Sequence, residues 1–135
     1  MEGRIYLDHA AAMPVHPGVA RFARRFPESF AGNPSTIYRE GLFAQEALAE
    51  AREKVAALIG AGDPASIIFT SGATESNNIA IRGAALRNKK TGKMVVTSTI
   101  EHISVLNPAK DLQKSGFTFT QVPVDRFGVI DLDTL

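Results

Sequence analysis

Residues 67–78 read Ile67-Ile68-Phe69-Thr70-Ser71-Gly72-Ala73-Thr74-Glu75-Ser76-Asn77-Asn78. A short apolar run of buried-strand type gives way to small residues, and a helix follows over about Thr74 to Asn88. Ser71, Gly72, Ala73 and Thr74 are small enough to let backbone N–H groups approach an anion, while the helix turns the positive end of its dipole to the same point, so a phosphate would fit. The alternative is an ordinary strand-to-helix turn, with Thr74 as N-cap and Asn77-Asn78 in the first helical turn.

Downstream of this stretch the same order repeats. A strand over Met94 to Thr97 is followed by a helix from about Ile103 to Lys114 and a strand over Phe117 to Val122. Strands alternating with helices predict an α/β fold, a parallel or mixed sheet flanked by helices. Pro108 conflicts with the second helix, because an interior proline costs roughly 3 kcal/mol and kinks or restarts a helix; the alternative is a helix that begins at Pro108. Upstream, Leu42, Ala47, Leu48, Ala51, Val55, Leu58 and Ile59 recur at three- and four-residue spacing and predict a helix over Tyr38 to Ile59, with Glu50 and Lys54 paired on another face. Gly60 and Gly62 end it, and Asp63-Pro64 leads into the Ile67–Phe69 strand. Nearer the start stand a short apolar segment, Ile5 to Leu7, a brief helix over Val19 to Phe26 and a turn at Asn33-Pro34. At the other end, Asp125 to Gly128 reads as a turn, and Asp131 to Leu135 as the capped first turn of a further helix. One turn does not repay helix nucleation, so a larger fold is expected to continue beyond it.

With 135 residues, 44% hydrophobic and 21% charged, the chain has the composition of one globular domain, taken as 1–135, and not of a disordered one. A net charge of +1, from 15 basic and 14 acidic side chains spread without blocks, provides no footprint for nucleic acid or an anionic membrane. No cysteine is present for a disulfide or thiolate site, and three scattered histidines predict no metal centre. The start, MEGRIYLDHAAAMP, has no signal-peptide core, and no run approaches the ~18 apolar residues of a membrane span, so a soluble cytoplasmic protein is expected.

His102 closes Thr97-Ser-Thr-Ile-Glu-His102 and so emerges at the carboxyl end of a strand, the edge at which open α/β sheets bind ligands. An imidazole there can stack on a planar cofactor or move a proton near neutral pH; the alternative is a helix-capping histidine. His9 and His16 fit surface or capping roles better than ligation. Asp8 to Pro14 and Gly32 to Ile37 are loops able to line a cleft, and composition assigns them nothing more.

The segments IYLDHAAAMP, GNPSTIY, EAREKVAALIGA, DPASIIFTSGATESNNIAIRGAA, TSTIEHISVLN and GFTFTQVPVDRFGVIDL stand in this order along nearly the whole chain. Together they resemble the N-terminal half of the cysteine desulfurase (NifS-like) family, among the class-V aminotransferases. TSGATESNN followed by the Glu101-His102 pair is the most specific of the blocks. The resemblance implies part of the large domain of a fold-type I, pyridoxal-phosphate-dependent transferase. It implies that Ala73 and Thr74 bind the cofactor phosphate, that His102 stacks on the pyridine ring as the catalytic histidine, and that Asn33, with the segment around Asp8 to Ala12, lies at the substrate cleft. The implied reaction removes sulfur from L-cysteine, leaving alanine and a persulfide on an active-site cysteine, in sulfur metabolism and iron–sulfur cluster assembly.

The chain also departs from the family. Where the family often reads N-A-A-T-T-P, this chain has His9-Ala10-Ala11-Ala12-Met13-Pro14, and Tyr38 stands where a histidine is common. The family's Schiff-base lysine, the aspartate facing the pyridinium nitrogen, the remaining phosphate ligands and the persulfide cysteine all lie downstream of the matched region. The resemblance therefore implies that this chain alone is inactive and is completed by a C-terminal-half polypeptide or a homo-oligomer, with a sulfur-acceptor protein as a further partner. The competing readings are a non-catalytic binding or assembly module, a truncated remnant of the family, and a piece of a longer enzyme.

Overall fold

The computed structural model describes residues 5–29 and 32–132. They fall into two compact units divided between Ile68 and Phe69.

The first unit is helical. Helix α1 spans Pro17–Ser29, with the fixed φ of Pro17 at its first position and the Nδ1 of His16 accepting from the Gly18 N–H at 3.1 Å. It is longer than the Val19–Phe26 expected. Asn33-Pro34 forms the expected turn: Asn33 Oδ1 accepts from the Ser35 N–H at 2.9 Å, and its carbonyl from the Thr36 N–H at 3.0 Å. Helix α2 spans Arg39–Ile59, with Tyr38 at its N-cap, and ends at Gly60, whose φ of 71° lies in the left-handed region where a side chain is strained. Its half-buried stripe includes Ala47, Leu48, Ala51 and Val55 and adds the buried Ala56, whereas Leu42, Leu58 and Ile59 remain exposed. Lys54 Nζ meets Glu50 Oε1 at 2.6 Å, the pairing that their four-residue spacing predicts. A 3-10 turn, Pro64–Ser66, follows, capped by Asp63.

Ile67 to Phe69 is not a strand. Ile67 is extended, with φ −80° and ψ 117°, but a strand is a pairing as well as a conformation, and none of these residues belongs to the sheet. The Ile67 carbonyl accepts instead from Arg52 Nε at 3.2 Å. The apolar run, expected to be of buried-strand type, is instead exposed at Ile68 (65%) and about half exposed at Phe69 (47%).

The second unit is a β-α-β arrangement with one further helix. Helix α3 spans Ala73–Arg87, strand β1 Met94–Ser98, helix α4 Ile103–Asp111 and strand β2 Thr118–Val122. The strands pair in parallel from Met94 opposite Thr118 to Ser98 opposite Val122, so α4 is the crossover that parallel neighbours require. Ala109, Leu112, Phe117 and Val122 form the buried core of this unit.

Helix α4 begins at Ile103, not at Pro108, and carries the proline as its sixth residue. Pro108 lies beyond the first turn, so it removes the bond that its own nitrogen would have made to the Ser104 carbonyl and crowds that carbonyl with its ring. Its ring is fully buried, which offsets that loss. The helix then lasts three more residues and tightens into a 3-10 turn over Leu112–Ser115, short of the continuous helix to Lys114 that the periodicity predicts. Asp125 to Gly128 is a turn, with Gly128 N–H donating to the Asp125 carbonyl at 3.0 Å. The expected helical turn over Asp131 to Leu135 lies mostly outside the described residues.

Candidate functional site at the start of helix α3

Gly72, not Thr74, is the N-cap of α3, and the first helical bond runs from the Ser76 N–H to the Gly72 carbonyl at 3.1 Å. Ala73, Thr74 and Glu75 therefore occupy the first three helical positions, whose N–H groups have no acceptor within the helix. The turn ahead of them is held by side chains. Thr70 Oγ1 lies 2.7 Å from Ser76 Oγ, and Glu75 Oε2 accepts from both the N–H and the hydroxyl of Ser71, at 2.7 and 2.8 Å. Those two bonds, the backbone one first, lower the carboxyl of Glu75 below its ordinary value of 4.5. The result is a preformed set of outward N–H donors at the positive end of a fifteen-residue helix, with one carboxylate already at the same end.

His102 sits just past β1, as its place in the sequence predicts. Ser98 Oγ, the last side chain of the strand, donates to Glu101 Oε1 at 2.9 Å, and His102 then caps α4. Its Nδ1 accepts from the Ser104 N–H at 3.1 Å and lies 2.8 Å from Ser104 Oγ. The capping alternative is thus what this side chain does locally. Capping leaves the rest of the ring exposed, and His102 shares a groove of about 530 Å³ with Thr74, Asn78 and Ser104.

Helix α3 is held against α4 by two polar ties on its inner face. Asn77 Nδ2 donates to Ser104 Oγ at 2.8 Å, and Arg82 Nη2 meets Asp111 Oδ2 at 2.6 Å. Lys114 Nζ reaches the other oxygen of Asp111 at 2.6 Å. The two cations, Lys114 first, hold the Asp111 carboxyl below its ordinary 3.8.

Of the residues singled out from sequence, Ala73, Thr74 and His102 come together on this unit, with Thr74 and His102 on one groove. Asn33 belongs to the other unit, where its side-chain oxygen closes the turn before α2. Sequence reasoning missed Glu75, Asn77 and Ser104. The spacing of Ser71 and Glu75, one residue wider than a capping box, is a legible signal for the first. The Asn77–Ser104 contact joins residues 27 apart and has no local signature. Among the described residues no cluster of three His, Cys, Asp or Glu side chains is placed to hold a metal, and no helix is long and apolar enough to cross a membrane.

The model of the aminotransferase class-V family matches residues 5–135. Cysteine desulfurase IscS 1 of Archaeoglobus fulgidus is 47% identical over 128 residues, covering 95% of this chain and 33% of that protein. Cysteine desulfurase IscS of Dictyoglomus turgidum is 46% identical over 135 residues, covering 100% of this chain and 34% of its own length. Among solved structures, a NifS-like protein superposes with a TM-score of 0.83 at 37% identity, over 96% of this chain and 35% of that one. DndA from Streptomyces lividans superposes with a TM-score of 0.68 at 38% identity, over 87% and 33%. The match thus takes in both units and the whole of the α3 turn while spanning about a third of each relative's length. On that match the chain belongs to the aminotransferase class-V family, among the relatives of the IscS and NifS cysteine desulfurases.

Proposed function

We propose that these 135 residues are the N-terminal portion of a pyridoxal-phosphate-dependent cysteine desulfurase. In this reading they supply the seat for the cofactor phosphate and one face of the site for its ring. The observation that carries the reading is the set of free N–H groups at Ala73 and Thr74, on the unit where Thr74 and His102 share a groove. The donors suit a dianionic phosphate: backbone N–H groups at a helix start, the Thr74 hydroxyl beside them, and no side chain at Gly72 to obstruct approach. Glu75 suits it less, but its Oε2 is engaged by Ser71.

When bound, pyridoxal phosphate supplies the electron-withdrawing ring on which bonds at the substrate's α-carbon are made and broken. The work of this chain is to bind and orient. Ala73 and Thr74 would hold the phosphate and His102 would face the ring, and the family resemblance implies that Asn33 would lie at the substrate cleft. The attachment lysine and the persulfide cysteine come from residues beyond the 135 read here, and a sulfur-acceptor protein takes the product.

The test is reconstitution. The chain is mixed or co-expressed with a polypeptide corresponding to the remaining two-thirds of an IscS-type relative, and sulfide release from L-cysteine is followed. Activity with the pair, absent from either part alone and reduced by Thr74→Val or His102→Gln, supports the reading. Enzyme-like sulfide release by the 135 residues alone contradicts it. A pair that assembles and binds cofactor but stays inert favours an assembly module.

A further inference from the structure

We infer that Asn77 and Ser104 are positioning residues for His102, a two-step relay that fixes the neutral imidazole as its Nε2-protonated tautomer and so makes it a hydrogen-bond donor on the groove. The functional importance of the relay rests on the proposed role of His102 at the cofactor ring. Its existence does not.

The assignment follows from which groups can only donate. The Ser104 backbone N–H, 3.1 Å from Nδ1, has no lone pair to offer, so Nδ1 must be the acceptor. The Asn77 amide nitrogen, 2.8 Å from Ser104 Oγ, also only donates, which occupies a lone pair of that hydroxyl and leaves its hydrogen for another acceptor. The available acceptor is Nδ1 again, 2.8 Å away. Two donors thus converge on one ring nitrogen, and the proton of the neutral ring resides on the other. Ser104 is only 7% exposed, so water does not readily replace Asn77 as the group orienting its hydroxyl.

Two consequences bear on chemistry. With Nδ1 engaged, Nε2 is the ring nitrogen left to a ligand, and in the neutral ring it presents N–H, suited to an anionic or carbonyl acceptor and unsuited to act as a base. The relay also connects α3 to α4, so the helix that offers the anion seat and the residue that caps the next helix are set by the same contact. A movement of α3 along its axis breaks the Asn77 bond and frees the Ser104 hydroxyl to turn away from His102.

The test uses the full 135-residue chain, uniformly ¹⁵N-labelled, without cofactor, at alkaline pH. Long-range ¹H–¹⁵N correlation spectra distinguish the tautomers of His102, whose signals are identified by their loss in His102→Gln. The expected wild-type pattern is protonated Nε2 and unprotonated Nδ1. Ser104→Ala, which removes one of the two donors, lowers the ratio of Nε2–H to Nδ1–H roughly fivefold. Asn77→Asp, which keeps the shape but replaces the donor by an acceptor for the Ser104 hydroxyl, moves the ratio in the same direction, and Ser104→Thr, which keeps a hydroxyl, restores it. An Nδ1–H wild-type tautomer overturns the inference, as does a ratio unmoved by Asn77→Asp in a chain whose strand amides are unchanged. If Ser104→Ala does not fold, the Asn77→Asp and Ser104→Thr spectra still decide. Because no cofactor is present, a relay that is found alongside a failed reconstitution counts against the proposed function and leaves the relay standing.

Discussion

Glu75 turns its carboxylate back onto Ser71, accepting from that residue's N–H at 2.7 Å and its hydroxyl at 2.8 Å. The contact closes the turn that starts α3, and it also keeps a negative charge at the end of the helix where the phosphate is proposed to sit. Replacing it by Glu75→Gln retains an oxygen for Ser71 and removes the charge. The variant is expected to bind inorganic phosphate roughly two- to fivefold more tightly, read from the shifts of the Ala73 and Thr74 amides. Equal or weaker binding would show that the anion, if it binds at all, does not share the end of α3 with this carboxylate.

Asp111 joins α3 to the segment after α4 through Arg82 and Lys114, and its folded-state carboxyl lies below the ordinary 3.8. A group whose pKa is depressed on folding stabilises the native state fully above its unfolded value, and that contribution is lost as pH falls through the lower folded value. Urea unfolding followed between about pH 5 and pH 2 should therefore show an acid-side loss of stability, with Asp111→Asn shallower over that range. Glu75, shifted in the same direction, adds to the slope. Superimposable acid limbs for wild type and Asp111→Asn would remove Asp111 from the account.

Leu112 is 1% exposed and stands where α4 tightens into its 3-10 turn, next to Ala109 and in the same core as Phe117 and Val122. Leu112→Ala should cost about 2–5 kcal/mol, measured by urea unfolding with an unchanged m-value. A loss below about 1 kcal/mol would mean that the core of this unit lies elsewhere.

Large apolar side chains remain open on the second unit, among them Met94 at 68%, Ile103 at 65% and Phe127 at 74% exposure. On the proposed function, the complementary polypeptide covers side chains of this kind. By sedimentation equilibrium the purified chain should show species heavier than its 14.5 kDa, and these should give way to a defined complex when the complementary polypeptide is added. A single monomeric species that is indifferent to that polypeptide is the contrary result.

Much of this was legible in the residues. Helix α2 was readable because its stripe is long and its end is marked by Gly60, and α3 because the small residues of Ser71 to Thr74 announce a helix start. The β1, α4 and β2 order followed from alternating periods. Two misreadings have physical causes. Ile67 to Phe69 looked like a strand because apolar composition reports a preference for burial, whereas a strand exists only with a paired neighbour. Pro108 reads as a boundary because a missing N–H and a crowded carbonyl disfavour a helix interior, whereas the full burial of its ring, which offsets that cost, has no local signature in the sequence. The candidate residues Ala73, Thr74 and His102 stand out in the sequence because they lie in contiguous motifs. Asn77 and Ser104 do not, since their contact depends on how α3 rests on α4.

The central claim is that the start of α3 receives the phosphate of the cofactor beside His102. Titration of the ¹⁵N-labelled chain with pyridoxine 5′-phosphate tests it most directly, since this analogue has no aldehyde to react with surface lysines. Pyridoxine without the phosphate serves as the control. The account predicts that the Ala73 and Thr74 amides and the His102 ring shift together with the phosphorylated compound, and that the amide shifts are absent with pyridoxine. Shifts confined to other residues, or identical responses to the two compounds, would contradict it.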